Sequence, residues 1–364
     1  MKKIFSLLLL VLLCSVNVSA FDISARSAIV IDSLSGRVLY EKNSREHLPM
    51  ASTTKIMTGL LACESGKMSD IVTVSPVASG TEGSSLWLKI GEKMSLENLT
   101  YGLMLKSGND AAVAIAEYLA GSVDAFSLLM NKRAKEIGVI DTCFKNPNGL
   151  AEEEHFTTAY DLAQISRVAM QNEQFAKIVS TKEKTIPWEG EEWDRVLKNH
   201  NKMLWQYEGC NGIKTGFVKK SGRCLVTSAK RGKTSIICVT LNAPSDWSDH
   251  KVMLDSCFNK FSSKVVCKKG EKMGDFIYDE KKKKSVALVA EKAFLVAVTD
   301  NDNIKTQIEY KNNRIIKKGS VGAIMHVFVN DEKLGSVNLV YRKSIKKKFR
   351  LVFSTLAEFF YFTH

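Results

Sequence analysis

The chain has 364 residues, 45% of them hydrophobic and 25% charged, with only 5 Pro and 22 Gly. Those proportions exclude a collagen-like, low-complexity or largely disordered chain, and the length accommodates two or three domains, one large enough to bury a substantial core. The formal net charge of +13 is unevenly spread: residues 21–260 hold 29 Lys+Arg against 28 Asp+Glu, whereas residues 261–350 hold 21 against 10. A basic segment of this kind can face nucleic acid, anionic lipid or an anionic polymer.

The N-terminus chooses among them. Met1-Lys2-Lys3 is a short positive region, Ile4 to Leu13 an apolar stretch broken only by Ser6, and Val18-Ser19-Ala20 a small-residue cleavage site. Residues 1–20 therefore read as a secretory signal peptide whose apolar part is too short for a comfortable membrane span. A retained N-terminal anchor is the alternative; a lipoprotein reading of Cys14 is disfavoured by bulky Leu13 before it. Export argues against nucleic acid as a partner.

Two strands around a tight turn follow, Ser27 to Asp32 and Ser35 to Tyr40. Pro49 precedes a helical pattern that starts at Ser52-Thr53-Thr54-Lys55 and runs to Ala62. Residues 95–138 read as mostly helical, and another helix covers about 158–171. β-rich runs return between Gly222 and Leu241, then a helix over 247–259. Strands at both ends with helices between them predict an α+β domain over 21–260, its sheet closed by the two ends of the segment. Beyond 261 there is no Pro, Lys becomes abundant, and short alternating strands at 286–290, 294–299, 323–329 and 336–341 predict a small β-rich domain over 261–341. In residues 342–364, Ile345, Phe349, Val352, Leu356, Phe359 and Phe360 fall on one helical face, with Lys346, Lys347, Lys348 and Arg350 elsewhere. That pattern predicts a basic amphipathic helix lying in a membrane interface, or else a helix docked on the β domain.

Seven cysteines remain after Cys14, an odd number with no C-x-x-C spacing, and most read as small buried apolar residues. Cys210 and Cys224 flank a motif described next and could form one bridge. The six His show no H-E-x-x-H or other metal-ligating spacing, which argues against a zinc peptidase; no metal site and no cofactor are expected.

Three short motifs occur in order: Ser52-Thr53-Thr54-Lys55, Ser107-Gly108-Asn109 and Lys214-Thr215-Gly216. Residues i and i+3 share a helix face, so Lys55 lies beside Ser52 one turn on. A serine hydroxyl is a weak nucleophile until an adjacent base takes its proton, and lysine does that only as a neutral amine. Burial and a neighbouring cation such as Lys214 would both lower its pKa. A helix N-terminus at Ser52 presents free N–H groups where an oxyanion would form. A strand bearing Lys214-Thr215-Gly216 offers a sheet edge, a hydroxyl and a cation to a substrate carboxylate. Gly216 permits close approach, and the N–H of Phe217 is the second oxyanion donor.

These motifs, and the longer segments Pro49 to Thr58, Ser107 to Ala112, Asn146 to Leu150, His155 to Asp161 and Asn211 to Phe217, resemble the low-molecular-mass penicillin-binding proteins of the serine D-alanyl-D-alanine carboxypeptidase family. The resemblance covers about residues 24–260, more loosely the C-terminal part. It implies a penicillin-binding/β-lactamase-like catalytic domain that removes the terminal D-Ala of peptidoglycan stem pentapeptides through an acyl-enzyme on Ser52. β-Lactams would acylate the same serine. It further implies Lys55 as base, Ser107 as proton relay to the leaving D-alanine, Asn109 holding the peptide amide, and Lys214 and Thr215 binding the terminal carboxylate. The expected location is the outer face of the cytoplasmic membrane of a bacterium, through residues 342–364. Phe217-Val218 departs from the family, where polar residues are common, and Asn148 stands where His is frequent. His155 reads as structural rather than as a base; Trp188, Trp193 and Trp205 could flank a cleft, with core packing the plainer reading. The alternatives are a D,D-endopeptidase or transpeptidase on the same scaffold, a β-lactamase, for which no E-x-x-L-N segment is found, and a cell-wall binding protein without turnover.

Overall fold

The computed structural model describes residues 22–279, 282, 284–311 and 315–345, and the backbone of 358–361. Strands Ser27–Asp32 and Val38–Lys42 pair antiparallel, and the first of them also pairs with Thr234–Leu241. That strand continues the sheet to Gly222–Arg231 and then to Cys210–Val218. The resulting five-stranded order puts the strand of residues 210–218, which carries the third motif, at an edge. The early and late parts of the segment thus close one sheet, as its pattern predicts.

The two faces of this sheet bury different things. On one, Ile29, Ile31, Val226, Ile237 and Val239 join Ile56, Leu60, Leu103, Ile115 and Ile165 from the helical segment in one apolar core. On the other, Ala28, Val30, Leu225 and Cys238 pack under helix Asp246–Lys260 through Met253, Leu254 and Cys257. Alternate strand residues therefore face alternate layers, both apolar, which explains why these strands read as continuous hydrophobic runs. Helix caps hold the helical layer: Ser122 accepts from Ala125 N–H and Thr158 from Asp161 N–H.

After Lys260 the chain builds a second sheet of six strands, in the order Lys272–Asp279, Lys284–Ala290, Glu332–Tyr341, Val321–Val329, Ile304–Tyr310 and Glu358–Tyr361, beside a two-stranded pair of Ser262–Cys267 with Phe294–Val298. The β-rich reading of this region holds. Its seam with the first sheet is polar and specific. The Asp32 carboxylate accepts from Ala297 N–H at 3.0 Å, and Arg37 donates to the Ala297 carbonyl at 2.9 Å while pairing with Asp302 at 2.8 Å.

The helix expected over 342–364 falls mainly outside the described residues, and at both ends the described backbone is not helical. Ile345 bridges Ile316. Glu358–Tyr361 is an antiparallel edge strand along Ile304–Tyr310, with Phe360 opposite Thr306. The run Phe359-Phe360-Tyr361 has high β-propensity, and an available sheet edge supplies its hydrogen bonds. All seven cysteines from Cys63 onward are free. Cys210 lies opposite Ala229 and Cys224 opposite Gly216, too far apart along the ladder for the bridge the sequence allowed.

Candidate active site

The Ser52 segment is a short 3-10 turn, Ala51–Thr54, running straight into helix Lys55–Glu64. Ala51 takes a left-handed φ of 46° and packs backbone to backbone against Gly149, where any Cβ would lie 1.9 Å from the Ala51 carbonyl oxygen. Glycine at 149 is therefore required to seat the loop 146–150 under the turn. Thr53 and Thr54 hydroxyls donate to the Met50 and Ala51 carbonyls and hold the turn from below. Ser52 is left half-exposed on top.

Lys55 is fully buried, and its amine has three oxygen neighbours: Ser52 Oγ at 3.0 Å, Asn109 Oδ1 at 2.7 Å and the Asn148 carbonyl at 2.5 Å. The Asn109 side chain is oriented by its own Nδ2, which donates to the Glu82 carbonyl at 2.7 Å, so its oxygen must face the lysine. Burial, and next the positive charge of Lys214, push the Lys55 pKa well below its usual value, against a smaller opposing pull from Asp110. A neutral amine has two N–H donors and one lone pair. The two carbonyl-type oxygens can only accept, so they take the two N–H groups, and the lone pair is left for the Ser52 hydroxyl proton.

Ser107 ends a π-helical turn, Gly102–Lys106, in a left-handed conformation with φ 63°, and helix Asn109–Ala120 starts two residues later. A non-glycine residue there is uncommon, and such backbones concentrate at functional sites. The Ser107 side chain is buried. Among the described residues no hydrogen bond joins it to Ser52, Lys55 or Lys214; Asn109 provides the direct link of this motif to the lysine.

The third motif closes the site from the sheet. A Cβ on Gly216 would stand 3.1 Å from both Ser52 N and Thr53 N, so the edge strand passes directly over the start of the catalytic turn. Lys214 is buried and donates to the Thr215 carbonyl at 2.9 Å; burial lowers its pKa to about 7. Thr215 and Gly216 are half-buried, whereas Phe217 is 64% exposed. The structure thus brings Ser52, Lys55, Asn109, Lys214, Thr215 and Gly216 around one point.

Residues that sequence reasoning missed are mostly backbone or electrostatic partners. Asn148 and Glu82 act through carbonyls, to which residue identity is blind. Asp110 is buried and accepts from the Ser85 hydroxyl and from Leu86 and Leu88 N–H, fixing the loop that carries Glu82. His200 is within the electrostatic reach of both Lys214 and Lys106; burial and these cations lower its pKa to about 4. His155 proves structural. Its Nδ1 accepts from Lys145 N–H at 3.0 Å, which makes Nε2 the donor to Thr54 Oγ1 at 2.8 Å. The tryptophans depart from the core reading: Trp193 and Trp205 are 61% and 44% exposed, and Trp188 lies under the Arg195 guanidinium at 4.3 Å. Among the described residues no cluster of His, Cys, Asp or Glu could hold a metal.

Two family models match. One, described as D-alanyl-D-alanine carboxypeptidase, covers residues 15–245, and one, described as the C-terminal domain of penicillin-binding protein 5, covers residues 261–347. The D-alanyl-D-alanine carboxypeptidase DacF of Bacillus subtilis (strain 168) is 34% identical over 336 residues, spanning 89% of this chain and 86% of that protein. Penicillin binding protein 5 from Haemophilus influenzae superposes with a TM-score of 0.75 at 26% identity, over 90% of this chain and 99% of its own. A mutant of the Streptomyces K15 DD-transpeptidase superposes with a TM-score of 0.63 at 29% identity, covering 66% of this chain and all of that one.

Proposed function

The chain belongs to the D-alanyl-D-alanine carboxypeptidase family, and on that premise we propose how its residues carry the reaction. It is a serine-type hydrolase that removes the terminal D-Ala from peptidoglycan stem pentapeptides and binds β-lactams. Neutral Lys55 takes the Ser52 proton as Oγ attacks the penultimate D-Ala carbonyl. The N–H groups of Ser52 and Phe217 receive the oxyanion, a reading supported by the close passage of Gly216 over Ser52 N. Lys214 and Thr215 take the terminal carboxylate, and Ser107 passes the proton to the departing D-alanine nitrogen. Water then attacks the ester with the same lysine as base.

The observation that carries this reading is the Lys55 amine with both N–H groups engaged and its remaining neighbour being the Ser52 hydroxyl. Labelling with a fluorescent penicillin tests it: the natural chain should label and Ser52→Ala should not. Equal labelling of both would reject the nucleophile. Release of free D-alanine from a pentapeptide then separates an enzyme from a cell-wall binder.

We also propose that the protein is exported and held at the outer face of the cytoplasmic membrane through residues 342–364. The leader-like residues 1–20 and the cluster Arg342, Lys343, Lys346, Lys347, Lys348 and Arg350 beside aromatic residues support this reading. No single helix among the described residues is long and apolar enough to cross a membrane. Deleting 342–364 should free the protein from sedimenting membranes with its activity intact; continued sedimentation would refute the attachment.

A further inference from the structure

The six-stranded sheet of the C-terminal region has two unlike ends. Its antiparallel registers bring the strand ends at Asp279, Tyr310 and Tyr341 and the strand starts at Lys284 and Val321 to one end. That end presents Lys282, Lys284, Lys317, Lys318, Arg342 and Lys343, every one exposed. Among the described residues none of these six side chains makes an ion pair. Asp279, in the turn that carries Lys282, accepts from the Lys282 N–H at 3.1 Å. Glu309 stands further back, bonded to His326 and within electrostatic reach of Lys311. At the other end the charges are mixed and met: Lys305 pairs with Asp331 at 2.7 Å, Glu271 accepts from the Lys268 N–H at 2.7 Å, and Asp302 joins Arg37 in the seam with the first sheet.

The basic end is a built surface. Gly319 N–H donates to the Tyr341 carbonyl, Lys318 N–H to Ser344 Oγ and Ile345 N–H to the Ile316 carbonyl, each at 2.9 Å, so the turn bearing Lys317 and Lys318 is fastened to the segment bearing Arg342 and Lys343. Arg342 N–H donates to the Ala287 carbonyl at 3.0 Å and ties that segment to the strand of Lys284. Two large aliphatic side chains stand open at the same end, Ile277 at 60% and Ile315 at 66% exposure. The chain leaves the described residues here, past Ile345, into Lys346-Lys347-Lys348. Cations without ion-pair partners beside exposed aliphatics complement an anionic bilayer, whose phosphates receive the charges and whose acyl boundary receives the isoleucines.

We propose that this end of the folded β-rich domain is itself a docking face for anionic phospholipid. Lys282, Lys284, Lys317 and Lys318 meet head-group phosphates, Ile277 and Ile315 enter the interface, and the seam at the opposite end is directed away from the bilayer. The inference deepens the attachment proposed for residues 342–364. Salt-screened head-group contacts hold weakly alone, so the tail retains the protein and the face orients it.

Co-sedimentation of the full chain with vesicles of 30% phosphatidylglycerol in phosphatidylcholine tests the face. A lysine at an anionic surface is worth about fivefold in binding. Lys282→Gln/Lys284→Gln/Lys317→Gln/Lys318→Gln should therefore lose at least about twentyfold at 0.1 M salt, the worth of two such contacts, with penicillin acylation kept within about twofold. The same charge removed at the other end, Lys268→Gln/Lys269→Gln/Lys292→Gln/Lys333→Gln, should cost less than about threefold. A smaller loss in the first variant, an equal loss in the second, or a natural chain that ignores the anionic vesicles overturns the face. If the four lysines instead govern binding to soluble polyphosphate and leave vesicle binding unchanged, the occupant is an anionic polymer and the lipid assignment falls. Binding of the natural chain to uncharged phosphatidylcholine vesicles reads insertion of the tail, so failure of that attachment shows there and failure of the face shows in the first variant.

Discussion

The catalytic cleft and the seam between the two sheets both bury cations, in opposite ways. At the seam, Arg37 meets Asp302 at 2.8 Å with both side chains largely covered, and the Arg37 hydrogen bonds hold the Asp302 carboxyl far below its usual range against the opposing effect of burial. In the cleft, Lys55 and Lys214 are just as covered, but their hydrogen-bond partners are neutral oxygens and their pKa values fall. Burial beside a carboxylate keeps a cation charged and makes a fixed joint; burial among neutral oxygens lets it lose its proton and makes a base. A third buried cation, Arg195, pairs with Glu92 and donates to the Trp87 carbonyl at 3.3 Å, another fixed joint between distant parts of the chain.

The sharpest way to break this contrast is to remove the base. Lys55→Met should keep the fold, because an apolar chain suits the buried site. It should lower the rate of penicillin acylation by about a thousandfold, within the range expected for a lost general base. A labelling rate within tenfold of the natural chain would mean that another group activates Ser52. At the seam the opposite pattern is expected. Asp302→Ala leaves Arg37 buried without its partner and should cost about 3 kcal/mol in urea unfolding. Acylation should change by less than about twofold, because Asp302 lies outside the catalytic sheet and shares no partner with the site. Unchanged stability would show that the pair does not hold the seam.

What the sequence made legible divides along the same line. Ser52, Lys55, Asn109 and Lys214 act through side chains at fixed spacing, so their identities announced the chemistry before any fold was known. The neutral-oxygen partners that set the lysine's protonation could not be read this way, since Asn148 and Glu82 contribute carbonyls placed by loop geometry. His200 enters the site only through the turn that anchors it to Leu105. The sheet was legible because strands buried on both faces read as continuous apolar runs. The tail was misread at 358–361 because a short aromatic run satisfies helical and strand periods alike, and the open edge at Ile304–Tyr310 decides the matter.

The pH dependence sharpens the contrast within the cleft, where both lysines are lowered but are needed in different states. Lys55 must be neutral to accept the serine proton, so the acylation rate rises with pH through its lowered pKa. Lys214, at about 7, must be charged to hold a carboxylate, so substrate capture weakens as pH rises above that value. kcat/KM for the peptide should therefore fall above pH 7, by up to about tenfold per unit, with KM carrying the change. An ester or β-lactam without the carboxylate should lack that limb. If it keeps the limb, the titrating group is not the carboxylate-binding lysine.

The smallest effect belongs to a group that sits beside the nucleophile's turn and yet takes no part. His155 is buried, and burial lowers its pKa to about 4, so it is neutral throughout the working range. Its one acceptor nitrogen is already filled by Lys145 N–H, and its N–H is spent on Thr54 Oγ1, which in turn donates to the Ala51 carbonyl beside Ser52. A ring with its lone pair occupied cannot accept the serine proton. His155→Gln, able to offer one oxygen and one N–H over a similar reach, should lower penicillin acylation by no more than about fivefold, far short of a lost base. Its pH profile should keep the shape of the natural chain's. A loss like that of Lys55→Met, or a vanished acid limb, would make His155 the base and leave the buried amine as a structural group.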